Sequence, residues 1–96
     1  MPEFTTAREV ISFGKKFSKE ELVRSMRFSV AAEYEAIQIY ELILEATDNT
    51  HVKAVVQDII NEERLHAWQF LDLLSELVPE EKAINESGAK ENKERK

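Results

Sequence analysis

A chain of 96 residues, 43% hydrophobic and 33% charged, holds one small domain and not two. A net charge of -6 excludes a nucleic-acid partner, which would call for a basic stripe. The absence of cysteine excludes disulfides and thiolate metal sites and suits a reducing, cytoplasmic setting. No apolar run reaches the length of a membrane span and the N-terminus shows no signal-peptide apolar core, so a soluble chain with no membrane contact is expected.

Residues 1–17 read as an N-terminal arm. Phe4, Val10, Ile11, Phe13 and Phe17 give it apolar patches to lay on a neighbouring surface, and Gly14 would end a brief turn capped by Thr5 or Thr6. Ser18-Lys19-Glu20-Glu21 is a capping box, in which serine hydroxyl and glutamate carboxylate each take one of the other's free backbone amides. A long helix follows, with Leu22, Met26, Val30, Ile37, Tyr40 and Leu44 on one apolar stripe. Thr47-Asp48-Asn49-Thr50 breaks that pattern with turn and cap residues. A second helix is expected from about Thr50 to Leu77, its stripe formed by Val52, Val56, Ile59, Ile60, Ala67, Phe70, Leu71 and Leu74.

So short a turn makes the pair an antiparallel hairpin over residues 18–78. Pro79 stops the second helix or opens a new one at its first position. Residues 79–96 read as a short helix ending by Gly88, then a flexible charged tail or linker. The fold class is therefore all-α. Two helices alone cannot cover two stripes this wide, so the hairpin is expected to dimerise into a four-helix bundle.

Three polar residues interrupt the stripes. Glu33 follows Met26 and Val30 and precedes Ile37 and Tyr40 at helical spacing, and Glu63 stands likewise among Val56, Ile59, Ile60, Ala67 and Phe70. His66 lies at i+3 from Glu63, on the same face. An unpaired carboxylate in a core costs several kcal/mol or more. Taken singly, each acid could be an edge residue paired with Arg27 or Arg64, and the histidine a hydrogen-bonded core residue. Together, a glutamate on one helix and Glu-x-x-His on the next point to a divalent cation, with oxygen and nitrogen donors suited to iron, manganese or zinc. Glu62 lies to the side of Glu63, solvated or in an outer metal role; Glu35 and Glu41 fall off the stripe. Tyr40 serves either as core packing or as a hydrogen-bond donor near the metal. His51 is expected to be exposed, and Trp68 to pack at an interface.

A carboxylate-bridged pair of metals in a helical bundle takes about four glutamates and two histidines. This chain offers Glu33, Glu63 and His66 once each, with no second Glu-x-x-His. The site is thus expected to be shared by two identical chains, the metal acting as both cofactor and clamp.

Ala32-Glu33-Tyr34-Glu35-Ala36-Ile37-Gln38-Ile39-Tyr40 and Asn61-Glu62-Glu63-Arg64-Leu65-His66-Ala67 resemble the two motifs of the encapsulated ferritins, over roughly Leu22 to Leu77. The resemblance implies that Glu33, Glu63 and His66 are iron ligands of a di-iron ferroxidase centre between subunits. It also implies homodimers closed into a ring, typically a decamer, that oxidises Fe(II) with dioxygen inside an encapsulin shell, a cytoplasmic nanocompartment that stores the product. The chain would then be a cargo protein or a piece of a shell fusion. Two positions depart from the family. The acid that often precedes the ligand glutamate, part of a metal-entry site, is Ala32 here, leaving Glu35 as the remaining candidate, and a family tryptophan is Ile39. Two alternatives share the frame: a rubrerythrin-like di-iron peroxidase, and a non-catalytic helical scaffold with structural metal or none.

Overall fold

A computed structural model describes residues 16–95, and among them it contains three helices and no strand. These are α1 (Lys19–Ala46), α2 (Thr50–Leu77) and α3 (Pro79–Glu94). Residues 1–15 of the expected arm lie outside the described residues.

Local chemistry sets each boundary. The Ser18 backbone N–H donates to Glu21 Oε1 at 2.9 Å and the Glu21 N–H donates to Ser18 Oγ at 3.2 Å, so the capping box forms in full. At the turn the Asn49 N–H donates to Thr47 Oγ1 at 3.1 Å, and Asn49 Oδ1 accepts from the Val52 N–H at 3.0 Å, starting α2. Val78 closes α2, its N–H donating to the Leu74 carbonyl at 2.8 Å, and Pro79 opens α3 where a missing N–H costs nothing. A Ser18→Ala variant is expected to lose about 1 kcal/mol. For a domain of this size that is roughly 4–8 °C in melting temperature, read by circular dichroism.

At 28 residues each, α1 and α2 are about 42 Å long and pack together as the antiparallel hairpin. Their seam is thin. Only Val23, Ile37, Ile60, Ala67 and Leu74 are buried among the described residues, with Ile60 at 1% exposure. The predicted α1 stripe is otherwise partly buried, but Val23 belongs to the core and was not on it. It lines an open pocket together with Leu77 and Val78, where the chain turns from α2 into α3.

The short-helix expectation for the C-terminus is corrected: α3 runs 16 residues, through Gly88, to Glu94. A glycine inside an exposed helix costs about 1 kcal/mol relative to alanine. Here Lys82, Glu86, Lys90 and Glu94 recur every fourth residue with alternating charge, a spacing that offsets part of that loss. Glu80 and Glu81 sit in the first turn, favourably placed on the helix dipole. The Arg27 guanidinium donates to Glu81 Oε1 at 2.7 Å and ties α3 back to α1.

Candidate metal centre

Glu33 reaches into the hairpin seam from the middle of α1. Glu63 and His66 meet it from successive turns of α2, which the antiparallel pairing brings to the same level. One ligand atom from each of the three lies within 4.8 Å of the others. Around an ion with bonds of about 2.1 Å, donors stand roughly 3–4.2 Å apart. The group therefore needs to close by no more than about 2 Å, a distance that side-chain rotation covers.

Glu33 Oε2 is buried and has no hydrogen-bond partner, although the side chain as a whole is 19% exposed. His66 Nδ1 is 3.9 Å away, too far for a hydrogen bond. Arg27, a potential partner for the acids, is taken up by Glu81, and Arg64 forms no ion pair among the described residues. A carboxylate oxygen taken out of water and left unpaired costs several kcal/mol. A divalent cation removes that cost, and the donor set of two carboxylates and one imidazole fits iron.

Glu63 is partly buried like Glu33, whereas His66 is not as deeply set as the stripe suggested: 46% of its side chain is exposed. Glu63 and His66 differ by 300° around the helix, so the histidine stands at the rim of the seam, on the side that Val52, Val55, Ile59 and Leu73 leave uncovered. Glu62 is exposed and outside the cluster, and Glu35 is partly buried outside it as well. Tyr40 is partly buried and makes no hydrogen bond among the described residues. His51 is exposed, and Trp68 is 66% exposed.

An open groove adjoins the cluster, lined by Glu33, His66, Gln69, Phe70 and Leu73 and, farther out, by Trp68 and Asp72. Sequence reasoning left Gln69, Asp72 and Leu73 aside. The spacing of Gln69 and Leu73 from His66, i+3 and i+7, was the available signal. None of the described helices is long and apolar enough to cross a membrane.

Comparisons with known proteins bear on this arrangement. A family model described as Rubrerythrin matches residues 25–96. The chain is 42% identical over 69 residues to the encapsulin nanocompartment cargo protein EncC of Myxococcus xanthus, covering 72% of this chain and 53% of that protein. It is 33% identical over 85 residues to a ferritin-like-encapsulin shell fusion protein of Pyrococcus furiosus, covering 88% of this chain and 25% of that protein. The chain thus spans about half the length of one curated relative and a quarter of the other. Among solved structures it is similar to the encapsulated ferritin domain from Pyrococcus furiosus, with a TM-score of 0.83 and 32% identity, covering 86% of this chain and 85% of that one.

Proposed function

The chain belongs to the rubrerythrin family of ferritin-like proteins, among the encapsulated ferritins, and on that premise we propose that it is a ferroxidase whose centre is completed by a second copy of itself. The observation that carries this reading is the convergence of Glu33, Glu63 and His66 on one level, with Glu33 Oε2 buried and unpartnered.

Two copies paired through this face supply four carboxylates and two imidazoles, enough to hold two Fe(II) as substrate. Two Fe(II) held there would together give two electrons to one dioxygen, which with two protons from solvent leaves as hydrogen peroxide. Four anionic carboxylates favour Fe(III) over Fe(II), and their fixed positions hold the two ions close together. Glu33 would hold iron from α1, and Glu63 and His66 from α2.

The pairing surface is continuous with the site. Val52, Ile59 and Leu73 follow the seven-residue repeat on which His66 also falls, Val55 lies between the first two at i+3, and all four are exposed in the single chain. On α1 the same side carries Ser29, Ala32 and Ala36, small enough for a close approach, followed by exposed Ile39 and Ile43. Leu42 is exposed outside this strip and offers a further contact by which pairs close into a ring, a decamer in our reading. The names of the relatives support an encapsulin shell as the partner that holds the oxidised iron, in a cytoplasmic nanocompartment.

Fe(II) added anaerobically and then exposed to air tests the proposal. About one iron per chain and a ferric absorbance rise well above that of buffer are expected. Oxidation by hydrogen peroxide alone, with no response to dioxygen, would favour the peroxidase; no acceleration by either would favour the scaffold.

A further inference from the structure

The ferroxidase reading requires that Fe(II) reach Glu33 and His66 after a partner has covered the strip around Ile59. On α1, Ala31 and Ala32 precede Glu33 and bring no charge, and Glu35 is turned about 200° around the helix from it. Resting on that reading, we propose that Asp72 is the loading residue for the centre: its carboxylate draws hydrated divalent cations into the groove that leads to His66 and Glu33.

Asp72 lines the same groove as the two ligands, and no Lys or Arg does; Lys82 and Glu86 of α3 share with it only the adjoining groove, and the two bring opposite charges. Asp72 is exposed and makes no ion pair or hydrogen bond among the described residues. Six residues beyond His66, it is rotated about 120° around α2, away from the Val52–Ile59 strip. The mouth at Trp68 and Asp72 therefore stays open when a second copy covers that strip. The groove holds about 690 Å³, several times the roughly 180 Å³ that six waters around a cation occupy. Gln69, between mouth and centre, offers an amide oxygen to those waters on the way in.

A unit negative charge on the order of 10 Å from the path of a divalent ion raises its local concentration about threefold to fivefold in water at low ionic strength. The test is stopped-flow association of Co(II), followed by its d–d absorbance, with the full chain as wild type, Asp72→Asn, Asp72→Glu and Glu63→Ala. Asp72→Asn is expected to slow association about threefold to fivefold at low salt and by little in high salt. It should leave the final spectrum and the Co(II) stoichiometry intact, and Asp72→Glu should restore the rate. Association of Asp72→Asn at the wild-type rate at low salt overturns the proposal. So does loss of the Co(II) spectrum in that variant, which would make Asp72 a ligand or a structural residue. A spectrum that survives Glu63→Ala, or is absent from the wild type, overturns the centre itself and the loading role with it.

Discussion

Glu63→Ala or His66→Ala is expected to slow Fe(II) oxidation by at least about a hundredfold and to abolish stabilisation of the fold by Fe(II). Removing an outer partner of a metal ligand already costs 10–100-fold, and these substitutions remove the ligands themselves. Glu33→Leu should share that loss while doing the opposite to the metal-free protein. Its Oε2 is buried and unpartnered in the single chain, and leucine has a similar volume without the desolvation cost. The metal-free variant is expected to gain about 1 kcal/mol, or roughly 4–8 °C in melting temperature in the presence of a chelator. A lower melting temperature would mean that the Glu33 carboxylate is satisfied within one chain. The pair of results separates function from folding, since a merely structural glutamate would lose stability and leave iron chemistry alone.

Ile59→Arg is expected to produce monomers that fold normally and oxidise iron no faster than buffer. Ile59 is 37% exposed in the single chain, so arginine there reaches water and costs little. In a pair it would bury a cation one turn from a Glu63 that is holding metal, at a cost of several kcal/mol. The α-helical circular dichroism spectrum should be unchanged while sedimentation shifts to the single-chain mass. A variant that remains paired and active would move the interface to another face, with Leu65 and Trp68 as its next centre.

Much of this architecture is legible in the sequence because the signals are local. Ser18 with Glu21, Asn49 with Val52, and Pro79 each fix a helix end through chemistry within three residues, and all three ends fall where the sequence puts them. The inward spacing of Glu33 and Glu63 is equally local, and the antiparallel turn then brings them together. Other features depend on geometry that periodicity does not carry. Gly88 reads as a helix stop, but a glycine stops a helix only where the backbone turns left-handed, and at Gly88 it does not. Val23 is buried near the end of the hairpin, where it lines one pocket with Leu77 and Val78 from the far end of the second helix, a proximity the periodicity of α1 does not carry. His66 appeared as interior as Glu63, yet three residues of helix rotation carry it to the rim. Asp72 carries no signal in the periodicity beyond lying beside Trp68, since the groove it lines curls around α2, off any stripe.

The central claim is that each chain holds half of a two-metal centre. Native mass spectrometry of anaerobic, Fe(II)-loaded protein counts metals and chains in the same ion, and so tests it most directly. The expected result is two irons per pair of chains in every even-numbered assembly, and metal-free Ile59→Arg monomers at the same Fe(II) concentration. Monomers carrying their full complement of iron, or pairs with one iron or none, would contradict it.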